Sequence, residues 1–340
     1  MEPSVATNLD EKYPRPSTHN PTTEDIPKVA IAPLPGGPTE PSDQPQPVPT
    51  PPPQPKPRKR KGWFRRLVRR TFLTLLSLVV VSELAAVSFL WFTPPRTSYM
   101  LQDGEPITYQ FVSLKHISRY AIAATIAHED QQLGTRVGAF PVDDFQKRVE
   151  AYIKGETDPS GSTIPQQLVK NIFLWPDQNG LRKGLEAVLA TEFALTLPPE
   201  RLVELYLNYA QFGPNLYGVC AASWYYFKTP PWSMTQFQAA ALMGVVPFPS
   251  IAKRAPEGGI YIDRAVNPKS WDALNGAANV WVPKQIEGMG GWKAAVETIG
   301  ITDLASDYQA ERDANPDDPN SCSTWPISVV QRYDREHISR

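Results

Sequence analysis

Glu129 and Asp130 stand side by side at the end of a stretch with helical spacing. Further on, residues 160–186, SGSTIPQQLVKNIFLWPDQNGLRKGLE, gather a hydroxyl, an amide, three cations and a second glutamate. Two acids at the C-terminal end of a helix oppose the macrodipole, which is negative there. A glutamate held so, with its pKa pushed up, suits a general base. Taken alone, the pair is a polar helix exit. Thr163, Gln167 and Lys170 follow i, i+4, i+7 and share one helical face, with Leu168 and Ile172 as a neighbouring apolar stripe. Arg182, Lys183 and Glu186 come on a second helix, Arg182 and Glu186 at i, i+4. Any one such helix pair is ordinarily a solvated face. The clustering of cations beside a capped polar face argues for an anion-receiving site.

The elements that must position these groups are mostly helical. Thr163-x-x-Gln166 is a capping box, so a helix starts just after Thr163, with Pro165 in its first turn where a missing N–H costs little. The second helix opens at Gly180. Ile117, Tyr120, Ala121 and Ala124 carry a helix from near Ser113 to Glu129, while 94–112 reads as extended. Residues 134–160 have weak period and read as a partly helical loop. Its Val137, Phe140, Val142 and Phe145 suit either a membrane surface or a core. After Pro198-Pro199, the stripe Leu202, Leu205, Tyr206, Tyr209 gives a further helix closed by Gly213. Val219–Lys228 is another, and Ser233-x-x-Gln236 opens one to Val246. No alternating pattern interrupts this run, and the domain reads as mainly α.

The chain has 340 residues, a net charge of −1 and two cysteines, Cys220 and Cys322. Neutral charge gives no case for nucleic acid, and two cysteines are too few for a disulfide scaffold. Residues 1–57 hold 17 of the 37 prolines and no hydrophobic period; they are expected to be disordered and partly polyproline II. Residues 58–70 are a basic juxtamembrane segment. Residues 71–92, TFLTLLSLVVVSELAAVSFLWF, are long and apolar enough to span a bilayer. The basic side lies N-terminal, so residues 1–70 belong in the cytoplasm and the rest outside. Glu83 within the span is an oddity, either protonated or paired with a polar group on another helix.

Several motifs in order resemble one known family. They are HED at 128–130, GSTIPQQLVKNIF at 161–173, RKGLE at 182–186, VELYLNYAQFGPNLYGVCAASWYYFK at 203–228 and MTQFQAAALMGVVPFPS at 234–250. The chain is similar over about 98–250 to the family 51 glycosyltransferases, in particular the monofunctional biosynthetic peptidoglycan transglycosylases. The resemblance implies a lysozyme-like helical domain at 98–250 on the outer face of the cytoplasmic (inner) membrane. It implies polymerisation of lipid II into glycan strands, the growing chain on undecaprenyl pyrophosphate being the donor. Glu129 resembles the general base that takes the proton of the acceptor's 4-hydroxyl, with inversion at the donor carbon. Lys170, Arg182 and Lys183 would receive the departing pyrophosphate, and Thr163 and Gln167 would hydrogen-bond phosphate or sugar. Glu186 would orient the cations or hold a divalent metal, Mg or Mn, with no other cofactor required. Asp130 would keep the base ionisable by position and charge. Other cell-wall synthesis proteins are the expected partners besides the lipid substrate and the membrane.

The sequence departs from the family at Leu133, Arg136, Ser160, Pro165 and Gln238, where the family usually has Phe, His, a small Gly or Ala, Thr or Ser, and Glu. Leu133 keeps an apolar contact; Arg136 puts a fixed cation where a neutral group could stand. These departures support an alternative, a catalytically impaired lipid II-binding scaffold, which intact Glu129 and Glu186 oppose. A lytic glycosidase is a third reading, for which a cationic pyrophosphate site would serve no purpose. Ser250-x-x-Lys253 matches a transpeptidase nucleophile motif by chance, since no K-T-G follows. Residues 251–340 form a C-terminal extension that either pads the domain or docks a partner.

Overall fold

The computed structural model describes residues 61–104, 106–141, 150, 161–177 and 179–339. The proline-rich segment 1–57 and the loop positions Val142 and Phe145 lie outside them.

A long helix α1 (Lys61–Ser88) runs from the basic block through the apolar stretch, its side chains largely exposed. It begins and ends earlier than the 71–92 span. The basic segment from 61 to 70 is its first part, and the chain turns off its axis after Ser88 because Phe89 is buried against Phe173 and Phe193, with ring centroids 5.6 and 5.1 Å away. Arg201 caps this helix end from another element, donating Nε to the Phe89 carbonyl (2.8 Å) and Nη2 to Thr93 Oγ1 (2.9 Å).

Residues 98–103 are not extended. Thr97 caps a short helix α2 (Ser98–Asp103), its hydroxyl accepting from the Met100 N–H at 3.3 Å. α3 (Arg119–Glu129) starts after a 3-10 turn at Leu114–His116, later than the periodicity suggested, because Ser118 is the N-cap position and donates its hydroxyl to the Met234 carbonyl (2.8 Å). α4 (Ile164–Phe173), α5 (Gly180–Thr196) and α7 (Val219–Phe227) follow as read, whereas α6 (Pro199–Tyr209) ends before Gly213, which lies in a strand. Their mutual packing buries Leu168, Phe193, Leu205 and Tyr226.

Among the described residues two short hairpins interrupt the helices, which the sequence pattern did not reveal. β1 (Gln211–Gly213) pairs antiparallel with β2 (Leu216–Tyr217), the turn passing through Asn215 at φ 52°. β3 (Lys253–Arg254) pairs with β4 (Ile260–Tyr261). Strands of two or three residues leave no room for period-2 alternation. The second capping box sits two residues later than read. Thr235 and Gln238 exchange bonds (Thr235 N–H to Gln238 Oε1 at 2.9 Å, Gln238 N–H to Thr235 Oγ1 at 3.2 Å), while Ser233 ends a 3-10 turn and its hydroxyl faces Thr229 at 2.7 Å. The helix it opens, α8 (Gln236–Met243), stops short of Val246.

The C-terminal extension is part of the same body. α9 (Pro268–Gly276) runs through a π-turn at Ala277–Trp281 into α10 (Val282–Gly288), then come α11 (Trp292–Glu297), α12 (Gln309–Ala314) and α13 (Ile327–Arg335). Ala277, Val282, Ile286, Ala295, Val296 and Tyr333 join the main core. Cys220 on α7 and Cys322 before α13 form a disulfide across a separation of 102 residues, Cα atoms 6.0 Å apart.

Candidate active site

Glu129 is the last residue of α3 and Asp130 its C-cap. The Glu129 carboxylate turns toward α4, where Gln167 Nε2 donates to its Oε2 at 2.6 Å. The same amide nitrogen donates to the Ser162 carbonyl (3.0 Å), and Gln167 Oε1 accepts from the buried Tyr206 hydroxyl of α6 (3.3 Å). Three helices therefore meet at one carboxylate. Burial pushes the Glu129 carboxyl above the ordinary range, and Gln167, His128, Lys170 and Tyr206 hold part of that rise back. Such an environment favours the protonated carboxyl over the free carboxylate.

Lys170 lies one turn further along α4, since residues three apart share a helix face. Burial pushes its ammonium pKa down; Glu186 and Glu129 pull it up, and Lys183 and Arg182 push it further down. These signs place one ammonium between two carboxylates and two cations. Its Nζ lies 5.8 Å from the Tyr99 ring centroid. Tyr99 comes from α2, whose Gln102 donates to the Leu174 carbonyl at the end of α4 (3.0 Å). Tyr99 went unnoticed in the sequence because two prolines and a Gly mask the short helix that carries it.

On α5, Glu186 is 1% exposed and carries three donors. Arg182 Nη1 reaches it at 3.0 Å, Lys183 Nζ at 2.5 Å, and Gln166 Nε2 from α4 at 3.3 Å. Arg182 itself is buried, and its Nε finds no acceptor among the described residues. A buried donor beside two further cations is a costly arrangement unless an anion meets it. A resident divalent metal does not fit at Glu186: its carboxylate is already shared by Arg182 and Lys183, and a metal would also face Lys170. A grouping of metal-ligand type, His116, Glu311 and Asp318, lies elsewhere, with donor atoms within 4.8 Å of one another. There Lys115 takes Glu311 as an ion pair and Arg312 Nη1 stands 3.3 Å from the His116 ring.

Asp130 and Thr163 have different surroundings from those expected. The Asp130 carboxylate is gripped by both Nη atoms of Arg136, one at 2.6 Å, and accepts the Ile164 N–H at 3.1 Å. The first donor of α4 is thus given to Asp130, and Arg136 is spent on the same carboxylate with no reach left for phosphate. Thr163 is buried, its N–H donating to Gln166 Oε1 at 3.1 Å. Asn171 donates toward the Tyr209 carbonyl (3.4 Å), a bond between helices. Leu133 is buried in the core. Val137 is exposed and Phe140 half-buried against the core.

Comparison with family models matches residues 98–265 to the one described as Transglycosylase. The chain is similar to proteins named biosynthetic peptidoglycan transglycosylase. One, from Pasteurella multocida (strain Pm70), is 38% identical over 201 residues, covering 56% of this chain and 80% of that protein. Another, from Haemophilus influenzae (strain PittEE), is 36% identical over 197 residues, covering 57% and 81%. A third, from Rhizobium etli, is 34% identical over 202 residues, covering 58% and 86%.

Proposed function

The chain belongs to the biosynthetic peptidoglycan transglycosylase family, and from that premise we propose how its own residues carry the reaction. It is a peptidoglycan glycosyltransferase that polymerises lipid II into glycan strands. Glu129 takes the proton of the acceptor's 4-hydroxyl. That oxygen attacks the anomeric carbon of the donor, the carbon–phosphate oxygen bond breaks, and its electron pair leaves with the pyrophosphate. Attack opposite an α-linked leaving group yields a β-glycoside. Lys170, Arg182 and Lys183 receive the charge that grows on the leaving group, with Glu186 holding Arg182 and Lys183 in place. Gln167 aims the base. Asp130 positions rather than binds: it ties the base's own loop to the start of α4 through Arg136 and Ile164.

One observation carries this reading. A carboxylate whose proton affinity is raised by burial is bonded to Gln167 of α4, one turn from Lys170, and Lys170 adjoins a cation cluster on α5 that contains an orphaned donor. With labelled lipid II, Glu129→Gln should lower kcat by roughly 10²–10⁴-fold, the usual worth of a positioned base. Glycan formation by the variant at the wild-type rate would remove Glu129 from the mechanism.

Among the described residues one helix, Gly62–Ser88, is long and apolar enough to cross a membrane, which suits a single-pass protein. Two independent features support an orientation with the N-terminus in the cytoplasm: basic residues precede the span, and the Cys220–Cys322 bond belongs in an oxidising compartment.

A further inference from the structure

Residues past 265 lie outside the stretch that the family model matches, yet they form the wall behind the catalytic glutamate. Gln285 of α10 sets its side-chain Oε1 3.1 Å from Nδ1 of His128, the residue immediately before Glu129. The loop after the glutamate lies against the end of α11 so closely that a Cβ on Gly134 would stand 1.9 Å from the Thr298 carbonyl oxygen. At the start of α3, Tyr120 packs edge-on to Trp292 (5.1 Å) and Arg119 Nη2 donates to Asp303 Oδ1 (2.8 Å). The extension therefore holds α3 at both ends.

We infer that Gln285 is a positioning residue of the transferase, acting through His128. Its side-chain carbonyl accepts the Nδ1–H of His128, holding the imidazole in one orientation beside the base. The inference rests on Glu129 being that base. The groups facing Glu129 are His128 of its own helix, Gln167 and Lys170 of α4 and Tyr206 of α6. Positive charge on His128 favours the ionised glutamate, so holding the imidazole close to the base keeps the base available at lower pH. The Gln285 carbonyl holds the ring there, and a carboxylate in its place would hold a charged ring more tightly.

The test is the pH dependence of kcat/KM for the full chain in detergent, with labelled lipid II as substrate. Gln285→Leu should move the acid limb upward by about 0.5 pH unit, a fraction of what a close charge exerts. Gln285→Glu, of nearly the same size, should move it downward. Both shifts should vanish when His128 is replaced by Ala. If both variants slow the enzyme and leave the limb where it was, Gln285 is packing only and the inference fails. It fails equally if the shifts persist without His128. A wild-type chain that makes no glycan would overturn the proposed function itself, which this comparison of variants reads separately.

Discussion

Burial raises the Glu129 carboxyl above its value in the unfolded chain. Between those two values the folded protein holds a proton that the unfolded chain releases, so stability is full in acid and is lost as pH rises through the folded value. Glu129→Gln keeps the shape and the bond from Gln167 while removing that cost. The variant should melt higher than wild type at neutral pH and converge with it below the ordinary carboxylate range, as read by calorimetry in detergent. An unchanged Tm at neutral pH would mean that burial of this carboxylate costs nothing. Asp130, its neighbour, is the opposite case. It is buried with Arg136, the two side chains 4% and 7% exposed, and its charge is matched on the spot. One of two adjacent acids keeps a raised proton affinity while the other takes the guanidinium.

At the scale of elements, α5 does two jobs on two faces. Arg182 and Glu186 point into the site, while Leu181, Leu185, Val188 and Leu195 form an exposed apolar stripe at i, i+4, i+7, i+14. α1 runs beside the C-terminal half of this helix, where Ser82 donates to Glu192 Oε1 and Thr196 donates to Glu83 Oε1, both at 2.8 Å. The odd glutamate of the span thus finds its partner on a helix of its own catalytic domain. Glu83 lies twelve residues beyond Thr71, roughly 18 Å along a helix, inside a hydrocarbon layer of about 30 Å. In the proposed orientation, the neighbouring end of α5 would sit within the outer leaflet. A nitroxide on Leu185→Cys or Val188→Cys in liposomes should relax faster with oxygen than with an aqueous nickel chelate. The reverse order would put the stripe in water.

At the scale of the molecule, the disulfide and the C-terminal helices close the body around α3 and α7. Linking residues 102 apart restricts the unfolded chain strongly, so replacing Cys220 and Cys322 together by Ser should cost about 2–5 kcal/mol. That loss should appear as a Tm lower by roughly 5–15 °C. The same pair reports topology. In intact cells both thiols should be unreactive to alkylation until reductant is added. Thiols that label without reductant would place this domain in a reducing compartment.

Local chemistry was enough to read much of this protein. The start of α4, the stop at Pro198-Pro199, the apolar span and the grouping of Lys170, Arg182, Lys183 and Glu186 follow from caps, prolines and helical spacing, which act over a few residues. What required the tertiary structure was every pairing across the chain. Nothing local distinguishes Glu129 from Asp130; the fold does, by bringing Gln167 to one and Arg136 to the other. Glu83 was an anomaly until Thr196 stood beside it, and Tyr206 was only a core stripe position until its hydroxyl met Gln167. The extension looked like padding or a partner's dock until Gln285 reached His128. Hydrogen bonds and ion pairs depend on distances that sequence separation does not encode, so the residue types were legible early and their division of labour only once the helices had packed.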